Sequence, residues 1–252
     1  IILMGASGNG KTYVACALGN AACRKFKTVR YIRMPELLDE LNIAKVYTVA
    51  SSFEELNFDL CPSKFILKTN HACKTGIVIN NKDELTKEDY EKYRQYYKKV
   101  LSLNYAFWGT LELQYKDIKP KIYAEEFLMQ KEDDLHIEYE VYCLNGRPEF
   151  LQYTKHNVIE RMDFMFLDTN WNKTDFKLQV NFSADVVPNS YNKDKILEYS
   201  KILSKNFKFA RIDFIEINNV LYFSEITFTP FSCQINFIPE EFDKTYGDKL
   251  II

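Results

Sequence analysis

The alternation of apolar and polar positions is clearest over residues 208–230, KFARIDFIEINNVLYFSEITFTP. Side chains of a strand alternate between its two faces, and two strand-like runs flank Asn218-Asn219. Arg211 and Asp213 share one face of the first run; Glu225 and Thr227 share one face of the second. Ile212, Phe214, Tyr222, Ile226 and Phe228 are expected on the opposite, apolar faces. A two-residue loop at Asn218-Asn219 would set Asp213 and Glu225 on opposite sides of the hairpin. A three-residue loop ending in Asn219 would restore the parity, since Asn tolerates the left-handed conformation such a loop needs. In that second case a cation, two carboxylates and a hydroxyl converge, a setting suited to a divalent metal carrying phosphates. In the first, the acids are ordinary solvated groups.

The same periodicities predict the other elements. Residues 64–79 pattern as strand, loop, strand, with Lys68 closing an otherwise apolar run. That lysine is either a phosphate contact or a plain strand-end residue. Residues 86–101 predict a helix opened by a Thr86/Asp89 capping box, with Tyr93, Tyr97, Val100 and Leu101 as its buried stripe. Residues 104–120 are aromatic and irregular. Residues 121–128 predict a strand running into a hinge at Glu125 and Glu126, and residues 131–134 a solvated turn. Residues 137–155 form a hairpin about Asn145-Gly146, a favoured tight turn. Further strands follow over 161–182. An amphipathic helix over 192–205 carries Ile196, Leu197, Ile202 and Leu203, and a short helix is expected at Pro239–Lys244.

Composition narrows the classes. The chain has 252 residues, 46% apolar and 15% aromatic, ample for a core. A net charge of −2 implies no general attraction to nucleic acid. The six cysteines form no C-x-x-C pair, which points to reduced thiols in a cytosol and against a zinc site. No apolar run reaches the length of a membrane span, and no signal peptide is visible. The chain opens on Ile1 inside a strand-like run, as though trimmed at its start.

Residues 1–12, IILMGASGNGKT, hold G-x-x-x-x-G-K-T at Gly5, Gly10, Lys11 and Thr12, between an apolar run and a helical pattern. Backbone N–H groups there would cradle phosphates, Lys11 would reach their far end and Thr12 would touch Mg²⁺. With the stretch up to MPELLDEL it resembles the IstB/DnaC-like P-loop ATPases, which help transposases or load helicases. The resemblance covers residues 1–42. No apolar strand ending in Asp follows to hold the metal, and a parallel sheet would need more strand–helix units. The stretch is therefore expected to be an incomplete β-α-β fragment, inherited or fused, that hydrolyses nothing. The composition shift near Asn42 sets the domain boundary.

Residues 43–252 resemble the TupA-like branch of the ATP-grasp fold. The resemblance is carried by VYTVASSFEELNF, KFILKTNH, LQYKDIKPKIYAEEFL, YEVYCLNGRPEFLQY, FKFARIDFIEINNVLYFSEITFTP and PEEFDKTYGDKL, in the family's order. It implies an α+β, two-lobed fold with largely antiparallel sheets that clamps ATP. It also implies a carboxylate–amine ligase working through an acyl phosphate in cell-envelope polysaccharide synthesis, with ATP and Mg²⁺ as cofactors. A saccharide or amino acid would be the acceptor. By the resemblance, Lys68 would contact phosphates; Glu125, Glu126, Phe127 and Leu128 would form the adenine hinge; Glu138 would reach the ribose. Arg211 would stabilise the transferred phosphoryl group, and Asp213, Glu225 and Thr227 would hold the metal. Two departures stand out. The family's glycine-rich loop reads Ala72-Cys73-Lys74-Thr75, and its Asp-Tyr-Lys pattern reads Glu138-Tyr139-Glu140, a reversed charge at 140. Either change could leave a binding-only or inactive protein.

Overall fold

A computed structural model describes residues 41–108, 112–129, 136–156, 162–178, 187–234 and 236–250. The P-loop residues Gly5, Gly10, Lys11 and Thr12, the helix and strand expected after them, and the turn at 131–134 lie outside the described residues. The backbone divides into two compact units, Ile1–Asn42 and Ile43–Ile252; the elements below belong to the second.

Its first layer is a four-stranded sheet in the order β1-β4-β2-β3, built from β1 (Val46–Ala50), β2 (Phe65–Thr69), β3 (Ile77–Ile79) and β4 (Ile122–Glu125). Each neighbouring pair in it runs antiparallel. Phe65 and Leu67 of β2 alternate inward with Ile122 and Ala124 of β4, and Phe53 and Tyr97 close the cluster. Burying side chains of this size stabilises by roughly 2–3 kcal/mol each. Tyr97 comes from helix α1 (Lys87–Leu101). Its ring is fully buried, and its hydroxyl lies 3.1 Å from the Leu67 carbonyl and 3.0 Å from the Thr75 carbonyl, sharing one proton between them. Without those acceptors a buried hydroxyl would be costly. The helix starts as its sequence dictates: Asp89 N–H donates to Thr86 Oγ1 at 3.1 Å, and Thr86 N–H donates to the Asp89 carboxylate at 3.1 Å. The opposite face of this sheet is left to Ile66, Lys68, Tyr123 and Glu125, all half-buried.

The second layer is a five-stranded antiparallel sheet in the order β10-β9-β5-β6-β7. Its strands are β5 (His136–Leu144), β6 (Arg147–His156), β7 (Met162–Asp168), β9 (Phe209–Ile217) and β10 (Val220–Thr227). Helix α2 (Lys193–Ser204) covers its back, burying Ile196, Ser200 and Leu203; the Cys143 thiol approaches the Ser200 carbonyl at 3.9 Å. Ile202, expected in the buried stripe, is instead 37% exposed. Short strands β8 (Lys177–Leu178) and β11 (Phe237–Ile238) pair with each other. With α3 (Glu241–Gly247, shifted along from the Pro239–Lys244 expected) they bring Phe176, Phe237, Phe242 and Tyr246 onto an aromatic cluster. There Tyr142 stacks on Phe150, ring centroids 4.5 Å apart. That cluster fills one end of the sheet's front face. The polar residues singled out above occupy the other end.

Among the described residues, Cys61, Cys73, Cys143 and Cys233 are free thiols. No helix of the described residues is long and apolar enough to cross a membrane.

Candidate functional site: a carboxylate-lined cavity around Arg211

The hairpin of β9 and β10 turns on two residues. Ile217 pairs with Val220, and Asn218 and Asn219 adopt φ of 50° and 69°, the left-handed geometry of a tight primed turn. A three-residue loop is therefore not what joins the acids. The parity is restored further along, by an irregularity between Phe223 and Glu225: Phe223 pairs with Phe214, but Glu225 pairs with Asp213. Ser224 is the extra residue of a bulge, and a bulge shifts the facing of everything beyond it. Glu225 and Thr227 thereby join Asp213 and Arg211 on one face. The same bulge corrects another expectation. Tyr222 pairs with Ile215 and so shares the polar face, while Phe223 supplies the apolar contact, its ring 6.2 Å from that of Phe214.

The β5–β6 hairpin uses the same device. Asn145 and Gly146 have φ of 51° and 75°, and a Cβ on Gly146 would stand 2.8 Å from the Lys205 carbonyl oxygen. Cys143 pairs with Pro148 but Tyr142 pairs with Phe150, so Glu149 is the extra residue. Beside it, Pro148 has no N–H for the ladder to lose. The shift sets Gln152 across from Glu140, and β5 in turn sets Glu140 across from Asp213.

These registers assemble one cluster. Arg211 donates from Nε to Asp213 Oδ1 at 2.9 Å and from Nη2 to Asp213 Oδ2 at 2.8 Å. Its Nη1 lies 2.9 Å from Glu140 Oε1. The Thr227 hydroxyl lies 3.0 Å from Asp213 Oδ2 and 3.1 Å from Glu225 Oε1, and its single proton serves one at a time. Glu140 Oε2 accepts from Gln152 Nε2 and, at 3.2 Å, from Thr154 Oγ1. Glu138, Glu140, Arg211, Asp213 and Glu225 line a cavity of about 100 Å³ together with Phe214, Ile215 and Ser224. That space suits an ion and part of a phosphate rather than a whole nucleotide.

One guanidinium is thus shared by two buried acids. Burial pushes Glu140 up to about 7 and Asp213 up to about 6, against the pull of Arg211, with the negative charge of Asp213 adding to the first and that of Glu225 to the second. Arg211 is held charged by the same neighbours. The attraction of one cation does not repay the desolvation of two carboxylates.

The other expected residues sit on the four-stranded sheet. Lys68 and Glu125 form an ion pair with each other across β2 and β4. Glu126 exchanges backbone and side-chain bonds with Lys45, at 2.8 Å and 3.3 Å. Lys64 Nζ lies 4.8 Å from the Phe127 ring centroid and donates to the Met129 carbonyl at 3.1 Å; Leu128 between them is half-buried. None of these lines the cavity. Tyr123 pairs with Lys68 in the ladder. Its phenol is pushed up to about 12, by burial first and then by the charges of Glu125 and Glu225. Tyr115 is pushed up to about 12 likewise, by burial and then by Glu225 and Glu112. Sequence reasoning missed Gln152, Thr154 and Tyr123 altogether, and treated Glu140 only as a departure. The turn at Asn145-Gly146 was visible, but the bulge that aligns Gln152 with Glu140 was not.

A divalent cation fits this donor set. Four carboxylates line the cavity against one guanidinium, an excess of hard, negative oxygen that a dication would offset. Among the described residues no three of Asp, Glu, His and Cys stand close enough to hold an ion unaided. A cation there would take Asp213 and Glu225 and fill its shell from elsewhere, as magnesium does with phosphates and water.

Comparison with known proteins adds two kinds of similarity. Over a short N-terminal stretch the chain is 50% identical, across 44 residues, to an insertion-sequence ATP-binding protein of Pseudomonas fluorescens; this is 18% of the chain and 19% of the relative. An insertion-sequence ATP-binding protein of Sinorhizobium fredii is 49% identical over 43 residues. The chain thus spans about a fifth of the length of the curated relatives it matches. Among solved structures it is similar to the D-alanine–D-alanine ligase of Bacillus anthracis complexed with ATP, with a TM-score of 0.44 and 12% identity over 76% of this chain and 52% of that one. The TupA-like ATP-grasp family model matches residues 24–251, beginning inside the stretch expected to be the P-loop fragment. Both sheets are antiparallel, as the resemblance implied, and the chain belongs to the TupA-like ATP-grasp family.

Proposed function

We propose that this chain is an ATP- and magnesium-dependent ligase that joins a carboxylate to an amine through an acyl phosphate, on a saccharide or amino-acid acceptor of the cell envelope. One observation carries the reading: Asp213 and Glu225 pair directly across two strands, with Thr227 between their oxygens and Arg211 beside them.

In the proposed reaction a carboxylate oxygen of the acceptor attacks the γ-phosphorus of ATP, and ADP leaves. The amine nitrogen then attacks the acyl carbon, phosphate leaves, and the amine gives up a proton. Asp213 and Glu225 would hold the magnesium, with Thr227 orienting them; the chemistry such an ion would supply there is neutralisation of charge on the terminal phosphates. Arg211 fixes Asp213 and lends positive charge to the cavity wall where the phosphoryl group passes. Lys68, turned from Glu125, meets the phosphates from the other sheet. In the segment Glu125 to Leu128, the Glu126 N–H is taken by the Lys45 carbonyl and Lys64 ties down Met129 just beyond; the backbone groups of Phe127 and Leu128 would be left for the adenine edge. Glu138 at the cavity rim reaches the ribose. Residues 43–252 would form this catalytic domain. Residues 1–42 would be a P-loop fragment without a role in turnover, a reading favoured by the short match to insertion-sequence proteins.

Hydroxylamine intercepts acyl phosphates as hydroxamates. The test is to incubate the protein with Mg·ATP, hydroxylamine and a panel of uronates and amino acids. Formation of a hydroxamate with equimolar ADP is expected for at least one carboxylate. Nucleotide binding without ADP formation on any of them would instead mark a binding-only protein.

A further inference from the structure

We propose that Glu140 is a positioning residue for Arg211, holding one edge of the guanidinium while Asp213 holds the other. The proposal rests on the reading above, in which Arg211 faces the transferred phosphoryl group. An arginine is a planar fork on a long flexible stem. Without Glu140 it would keep Asp213, through Nε and Nη2, and the weaker contacts of the Thr227 hydroxyl, 3.5 Å from Nη2, and of Tyr142, and it would still pivot with the Asp213 carboxylate. The third contact, Nη1 to Glu140 at 2.9 Å, comes from a different strand and fixes the plane.

Glu140 is itself immobilised. Its second oxygen accepts from both Gln152 and Thr154, and Gln152 Nε2 also lies 3.1 Å from Thr154 Oγ1. All three side chains are buried, at 8%, 5% and 3% exposure. The brace extends from β6 through β5 to β9, and it exists because the Glu149 bulge puts Gln152 opposite Glu140. A buried acid sharing its cation with another acid adds little to stability and often costs some. A hydrophobic residue would pack there more cheaply, so stability alone is a poor account of Glu140. Reaction geometry is a better one, because displacing a catalytic group by about 1 Å can cost on the order of a hundredfold in rate.

The test compares Glu140→Gln and Thr154→Val with the parent in two measurements. The first is kcat and KM for Mg·ATP with the acceptor found by the hydroxamate screen. The second is the ¹⁵N–¹H signal of the Arg211 Nε–H group, assigned through Arg211→Lys, which needs no ATP and no acceptor. Positioning predicts that kcat falls about tenfold or more in Glu140→Gln while KM stays within about twofold, with a smaller fall in Thr154→Val. It also predicts that the Arg211 Nε–H signal broadens or shifts in both. Unchanged kcat and an unchanged Nε–H signal in a folded Glu140→Gln chain would overturn it. If Glu140→Gln does not fold, Thr154→Val decides by the same two readings. If the parent turns over no ATP with any acceptor, the ligase reading falls, and the Nε–H signal still decides whether Glu140 holds Arg211.

Discussion

Glu225 stands directly across from Asp213 although only two residues turn the chain between their strands, because Ser224 is an extra residue in β10. The two-residue loop alone would put Ser224 opposite Asp213, and setting Ser224 aside as a bulge is what brings Glu225 there. Deleting Ser224 would leave Phe223 followed by Glu225 in a regular strand, with Glu225 still opposite Asp213. The deletion is therefore expected to preserve Mg·ATP affinity within about threefold. Calorimetric titration of the deleted chain checks this. A loss of binding in a folded chain would mean that the bulge aims Glu225 in some way that simple pairing does not.

Lys68 is held by Glu125 on the four-stranded sheet. If it moves onto phosphate when ATP arrives, Lys68→Ala removes a charge-assisted contact, and the dissociation constant for Mg·ATP should rise about tenfold. Fluorescent-nucleotide competition measures it. Equal affinity in the two proteins would reduce Lys68 to a partner of Glu125.

Acid and base should act on stability through the buried acids. Burial raises Glu140 to about 7 and Asp213 to about 6, against ordinary carboxylate values of 4.5 and 3.8. The groups facing them are Arg211, Glu138, Glu225, Thr227, Gln152, Thr154 and Tyr142. Between the two sets of values the folded chain binds more protons than the unfolded one. Their contribution to stability is therefore present in full below about pH 4 and is lost as pH rises through about 7. Glu140→Gln removes one titrating group. Its urea midpoint should fall less than the parent's between about pH 5 and pH 7.5. Parallel curves for the two proteins would show that Glu140 does not titrate in that window.

The N-terminal motif makes the opposite kind of prediction. Lys11 stands in a phosphate-binding pattern, but the proposed chemistry lies after residue 43. Lys11→Ala should leave ATP turnover unchanged within about twofold, whereas removing the phosphate-reaching lysine of a working P-loop abolishes it. A collapse of turnover at Lys11 with survival at Asp213 would transfer the activity to the first forty-odd residues.

Much of the fold was legible because its signals are local. The capping box at Thr86 and Asp89, the inward alternation of Phe65 and Leu67, and the turn at Asn145-Gly146 each follow from a few neighbouring residues. Arg211 and Asp213 could be placed on one face for the same reason. What was not legible was register. Nothing near Ser224 announces an extra residue, so the facing of Tyr222 came out wrong; Pro148, beside Glu149, was the local hint of a bulge in β6, and passing over it missed the alignment of Gln152 with Glu140. The ion pair between Lys68 and Glu125 was missed for a related reason: it joins residues far apart in sequence on strands whose pairing alternation alone does not fix.

The central claim is that Asp213 and Glu225 together hold the cation that carries ATP. Isothermal titration of Mg·ATP into the parent, Asp213→Asn and Glu225→Gln, each checked for folding by circular dichroism, tests it most directly. Saturable, magnesium-dependent binding is expected in the parent, with a loss of at least about tenfold in each variant. Equal affinity in all three folded proteins would contradict it.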